Sequence, residues 1–197
     1  MKRLSLDAYD KRAMYGLLTS AVVPRPIALV TTKGKSGVIN VAPFSYFNIV
    51  TAEPARLQIV VGRDKKTGDY KDTAKNIIDT KSFVVQAVTE ANLGDANRSA
   101  ARLPHTKSEL DITSFTPVET GFPVPYLKES PVAFECELDR QISFESSDMF
   151  IGRVVGIYVD ETVFNEGKFA IEKAKFVGRL SGNRYTTIGD VMKLERP

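Results

Sequence analysis

Reactive side chains are scarce in this chain. Its 197 residues include one cysteine, Cys136, and one histidine, His105. A single cysteine excludes an intrachain disulfide, and a reducing, cytoplasmic setting is expected. A zinc site would need both residues plus carboxylates at ligand spacing, and the sequence contains no such cluster. A Ser-His-Asp triad would rest on His105 without the nucleophile elbow that accompanies such a serine. His105 therefore reads as an exposed loop histidine. Long apolar runs are missing as well. The longest, around LQIVVGR, falls far short of the roughly 20 residues that cross a bilayer. The opening MKRLSLDAYDKRAMYG has no signal-peptide core, so no membrane association is expected. No G-x-G-x-x-G follows a strand and no G-x-x-x-x-G-K-[ST] occurs, which removes Rossmann and P-loop nucleotide sites. The net charge is only +3, with no aromatic platform or basic stripe of the kind that binds nucleic acid. An enzyme built from this chain must import its reactive group.

What is present is an ordinary globular composition, 43% hydrophobic and 26% charged. The length suits one domain over residues 1–197, large enough to bury roughly 70% of its unfolded surface. A short helix is predicted in LDAYDKRAMYGLLTS. IALVTT and VINVA read as strands joined by a turn, ARLQIVVG as a third, and SFVVQAVT as another, rich in β-branched residues. KDTAKNIIDT reads as a helix with Asp72 as N-cap and Ile77 and Ile78 on its apolar face. Residues 90–110 read as helix and loop, and TPVETGFPVP as extended linker, since its prolines forbid helix. In PVAFECELDRQISF, Val132, Phe134, Cys136 and Leu138 share one face, which makes Cys136 an inert core thiol. FIGRVVGIYVD is its antiparallel partner. The tail GRLSGNRYTTIG shows no periodic core face. About six strands with few helices predict a mainly β chain, a closed or nearly closed antiparallel barrel with helical insertions.

Two stretches depart from plain structural sequence. INVAPFSYFN, residues 39–48, sets two Asn, a Ser and a Pro among aromatics, where a core strand would alternate and avoid proline. It reads either as a bulge or as a surface shaped against a flat ligand. GRDKKTGDYKDTAKN, residues 62–76, crowds Arg63, Lys65, Lys66 and Lys71 ahead of a helix start that also carries Thr73. Free backbone N–H groups and the helix dipole make that an anion site; a capped surface helix with solvated lysines is the alternative.

Taken in order, VPRPIALVTT, INVAPFSYFNIVTAEP, KDTAKNI, KSEL and ESPVAFECEL resemble the flavin reductase-like family of FMN-binding split barrels. The likeness is to the branch with flavoredoxin and the flavin reductase components of nitrilotriacetate monooxygenases, and it runs from about Val23 to Tyr185. The resemblance implies a Greek-key antiparallel split barrel, FMN as cofactor, NAD(P)H as electron donor and a homodimer. A monooxygenase or redox protein is the implied partner. It places Asn40, Ala42, Pro43, Ser45, Phe47 and Asn48 against the flavin ring. Arg63, Lys71, Asp72 and Thr73 would then hold the phosphate, with Thr31 and Thr32 along the ribityl chain. Arg179 and Tyr185 would lie near the flavin of a partner subunit. Arg25, pinned between two prolines, faces either the flavin, a nicotinamide phosphate or solvent. The implied activity is hydride transfer from nicotinamide to flavin; a non-enzymatic FMN electron carrier fed by a protein partner is the alternative.

Overall fold

The computed structural model describes residues 1–195, and one antiparallel sheet of seven strands organises its backbone. These are β1 (Ala28–Lys33), β2 (Ile39–Phe44), β3 (Phe47–Ala52), β4 (Ala55–Gly62), β5 (Ser82–Ala87), β6 (Val132–Ser143) and β7 (Ser147–Val159). They lie in the order β2-β1-β5-β6-β7-β4-β3. The strand beyond the expected six is β3, FNIVTA. It escapes a period-2 reading because Asn48, Ile49 and Val50 are exposed in succession along an edge strand.

β2 and β3 follow each other in the chain yet occupy opposite edges of the sheet. Only Ser45 and Tyr46 separate them. Three peptide units reach about 10 Å at full stretch, so the sheet must curl until its edges nearly meet. The link is fastened to β4, where Val60 N–H donates to the Tyr46 carbonyl at 2.9 Å. The barrel thus closes through the covalent chain and not through a ladder, which makes it a split barrel. INVAPF itself is regular: all six residues of β2 pair with β1, Pro43 standing opposite Leu29. Proline is tolerated there because the outer side of an edge strand needs no ladder donor. The irregularity expected across residues 39–48 is confined to Ser45 and Tyr46.

β1 is buried on both faces, which is why IALVTT is nearly continuous in apolar residues. Ala28 and Val30 point into the barrel with Ile59, Phe83, Val85 and Phe150, while Leu29 joins Val41, Phe115 and Leu127 on the outside. Helix α1 (Lys11–Ala21) begins at Asp10, whose carboxylate accepts the Ala13 N–H at 2.7 Å. Helix α2 (Asp72–Thr80) packs Ala74 and Ile77 into the barrel core. The expected Asp72 cap does not form. Lys71 occupies the N-cap position, no side chain caps the helix, and Asp72 in the first turn pairs with His105.

Helix α3 (Leu93–Arg98) and a 3-10 turn, Glu109–Ile112, fill the segment read as helix and loop. In the expected linker, Pro117–Val118 pairs with Tyr126–Leu127. The tail is not a free loop: Val177–Arg179 and Tyr185–Thr187 form a ribbon that pairs with Arg25–Pro26. Among the described residues no helix is long and apolar enough to cross a membrane.

Cys136 is fully buried with Phe134 and Leu138 packed in the same cluster, as its strand pattern implied. Burial, and secondarily the Glu135 carboxylate, push its thiol up to about 12. Close to it, Gly152 stands opposite Leu138 where the β6–β7 register shifts. A Cβ there would stand 2.4 Å from Phe83 Cζ and 2.8 Å from Cys136 Cβ. Gly152→Ala should therefore destabilise the fold by roughly 1–3 kcal/mol through overpacking. Urea unfolding checks this, and an unchanged midpoint would show that Phe83 has room to move.

Candidate functional site

The seam end of β2, the N-terminus of α2 and the turn after α3 enclose a cleft of about 570 Å³. Asn40, Ala42, Pro43 and Phe44 form its floor. Lys71, Asp72, Thr73 and Lys75 make one wall, Ser99 to Leu103 the other, and Tyr70 closes an end. Two buried side chains hold the floor in place. Asn40 Nδ2 donates to Thr73 Oγ1 at 2.9 Å, stitching β2 to α2. Because that oxygen already accepts, the Thr73 hydroxyl proton is left to donate elsewhere. On the outer edge of β2, Val41 N–H donates to Glu109 Oε2 at 2.8 Å and the Ser108 hydroxyl donates to the Ile39 carbonyl at 2.6 Å. The 3-10 turn thereby satisfies an edge that would otherwise be open.

Charges of both signs border the cleft: Lys66, Lys71, Lys75 and Arg102, with the carboxylates of Asp64, Asp69, Asp72 and Glu109 among them. Desolvation lowers the Lys71 pKa, with Arg102 and Lys65 adding repulsion and Asp64 opposing them. Arg102 is partly neutralised by Asp64 at 2.9 Å. The first-turn N–H groups of α2 have no side-chain cap, and Thr73 and Ala74 are buried. An uncapped helix start ringed by cations is an anion-binding arrangement. The exposed His105 pairs with Asp72 at its rim.

The structure brings together Asn40, Ala42, Pro43, Lys71, Asp72 and Thr73, and leaves the other predicted residues outside this cleft. Thr31 and Thr32 are fully buried and serve the core, accepting from Gln86 Nε2 at 2.7 Å and Asn76 Nδ2 at 3.0 Å. Phe47 packs against the barrel interior. Asn48 is exposed, its Oδ1 accepting the Ile49 N–H at 2.8 Å. Arg63 is committed elsewhere: its guanidinium grips Asp148 through two bonds, 3.0 and 3.2 Å, and lies 4.7 Å from the centre of the Tyr70 ring. It braces Tyr70 from behind and does not line the cleft. Ser45, Arg179 and Tyr185 border a second, smaller pocket next to it. Arg25 borders that pocket too and is buried, neither solvent-exposed nor free.

Sequence reasoning missed Ser99, Arg102 and Glu109. The first two lie in RSAAR, where small residues followed by a cation allow close approach to a ligand. Glu109 carries no local signal, because its partner is a backbone N–H far away in the chain.

Comparison with known proteins gives a consistent answer. The family described as "Flavin reductase like domain" matches residues 20–173. The YwrF protein of Bacillus subtilis (strain 168) is 41% identical over 200 residues, covering 97% of each chain. The structure of nitrilotriacetate monooxygenase component B from Bacillus cereus superposes with a TM-score of 0.94 at 37% identity, covering 98% of both chains. That of Pseudomonas fluorescens 2-nitrobenzoate 2-nitroreductase NbaA gives 0.90 at 30% identity, covering 100% of this chain and 96% of the other.

Burial, with added repulsion from Asp72 and Asp111, raises the Glu109 carboxyl above its usual range despite the bond from Val41. A raised folded-state pKa means that the folded protein keeps this proton to higher pH than the unfolded chain. The group's contribution is full below the ordinary carboxylate range and is lost as pH rises through the elevated value. Glu109→Gln keeps an oxygen for Val41 and removes the buried charge. Its thermal midpoint should exceed that of the parent at pH 8, and the gap should shrink toward pH 4. A gap independent of pH would show that the charge plays no part.

Proposed function

The chain belongs to the flavin reductase-like domain family, and from that membership we propose that it binds FMN in the main cleft and reduces flavin with NAD(P)H. One observation carries the assignment: the uncapped, cation-ringed start of α2 stands at the end of a cleft floored by the flat run Ala42–Phe44. The volume, about 570 Å³, falls in the range of cofactor sites. Lys71, the Thr73 hydroxyl and the first-turn N–H groups of α2 would hold the phosphate. Asn40 keeps that hydroxyl turned as a donor. Ala42, Pro43 and Phe44 would back the ring, whose face must stay open to a second nucleotide.

When bound, FMN supplies the redox chemistry, accepting a hydride from the nicotinamide donor. The protein's own work is to bind, to orient and to exclude water, so the scarcity of histidine and free thiol is no obstacle. The likeness to a monooxygenase component B supports delivery of reduced flavin to a separate monooxygenase. The likeness to a nitroreductase supports delivery to a small acceptor on the protein itself. A homodimer built from one such domain over the whole chain completes the reading.

Two measurements test it. Under anaerobic conditions with excess FMN, NADH or NADPH should bleach the visible absorbance of the whole flavin pool, beyond one equivalent per protein. Bound FMN whose oxidised spectrum survives both nucleotides would mean an electron carrier fed by another protein. Lys71→Ala should weaken FMN by roughly tenfold to a hundredfold, the ~1.5–3 kcal/mol of one charge-assisted contact, while leaving riboflavin nearly unaffected. Equal losses for the two ligands would remove Lys71 from the phosphate site.

A further inference from the structure

The second pocket, about 230 Å³, shares Pro43, Phe44 and Ala100 with the main cleft. Its charge is of a different kind. Two guanidinium groups border it, Arg25 and Arg179, and among the described residues no carboxylate lines it. Arg25 is 7% exposed and gives its N–H groups to neutral oxygens only. These are the carbonyls of Thr19 at 2.7 Å, Val22 at 2.9 Å and Leu180 at 2.9 Å, and the Ser45 hydroxyl at 3.3 Å. Arg179 donates to the Tyr185 hydroxyl and the Gly182 carbonyl, with its guanidinium 4.5 Å from the centre of the Tyr185 ring. A guanidinium has five N–H donors, so several on Arg179 are unspent.

Positive charge removed from water and matched only by dipoles is expensive, and the group that completes it is an anion. The rest of the wall says what kind. Tyr15, Phe44 and Tyr185 present aromatic surface, and Ile27 and Leu93 present aliphatic surface. Such walls disfavour a bare, fully hydrated anion such as phosphate and favour a flat apolar body with one charged end. The volume lies below the roughly 300 Å³ at which drug-sized ligands begin, which suits a single ring. A planar guanidinium fork matches a planar carboxylate in two parallel bonds.

We propose that this pocket binds a small single-ring aromatic carboxylate, with Arg179 taking the carboxylate and Arg25 supplying fixed positive charge behind it. Its position beside a cofactor rests on the flavin reading; the binding itself does not.

Benzoate and its neutral isostere benzamide are the probes, titrated calorimetrically into the FMN-saturated full chain and into the flavin-free chain. Benzoate should bind at least about tenfold more tightly than benzamide in both, as a charge-assisted contact requires. Arg179→Gln should cut that preference severalfold, leaving only what the Arg25 charge supplies, and Arg179→Lys should lose less of it. Tyr15→Ala, an exposed position on the pocket rim, should loosen both probes alike without touching the preference. Equal affinities for the two probes, a preference undiminished by Arg179→Gln, or benzoate that displaces FMN would each overturn the proposal. Failure of the chain to bind FMN, followed by absorbance in the same samples, would sink the flavin reading and leave the benzoate preference as a separate result.

Discussion

Two residues, Ser45 and Tyr46, carry the chain from one edge of a seven-stranded sheet to the other. A link that short permits one arrangement: the sheet must coil on itself until the first and last strands of the order lie side by side. Everything else follows from that closure. The barrel acquires an interior, filled by Ala28, Val30, Ile59, Phe83, Val85 and Phe150 and covered by Ala74 and Ile77 of α2. It also acquires a seam, where backbone is not consumed by a ladder on both sides. Asn40 to Phe44 runs up to that seam, and both pockets open along it. The position of the site is thus a consequence of where the barrel fails to close by hydrogen bonds.

The two pockets divide the chemistry of recognition between them. At the α2 end, lysines, a helix dipole and uncapped N–H groups offer many donors to a highly charged, well-hydrated group. At the other end, two arginines sit among aromatic and aliphatic walls, where a charge must arrive attached to an apolar body. Shared residues Pro43 and Phe44 form the partition. Polar contacts in and around the main cleft keep this arrangement rigid: Asn40 on Thr73, Glu109 on Val41, and Arg63 on Asp148 and against the Tyr70 ring. The proposed flavin chemistry asks little more of the protein than this, because the redox work belongs to the cofactor.

Much of this was legible residue by residue. Strand periodicity found β1, β2 and β4 to β7, the burial of Cys136 followed from its alternation, and KDTAKNIIDT declared its helix. The proposed anion site could be suggested from the order alone because its ingredients, cations and a helix start, lie within one short segment. Contacts between distant segments were not readable. Arg63 looked like a phosphate ligand until Asp148, far along the chain, took its guanidinium. Thr31 and Thr32 looked available until Gln86 and Asn76 reached them. Asp72 looked like a cap, but its carboxylate is spent on His105.

By itself, the amino-acid order determined the local periods, the helix start and the inert thiol. Those are properties of neighbouring residues, set by steric and burial preferences that act over a few positions. Only the tertiary structure decided which cations remain free. It also turned Arg25 inward among carbonyls and brought the tail residues Arg179 and Tyr185 beside Phe44. The reason is physical: a polar side chain is committed by its nearest partner in space, and curling the sheet through a two-residue link chooses partners that no local pattern contains.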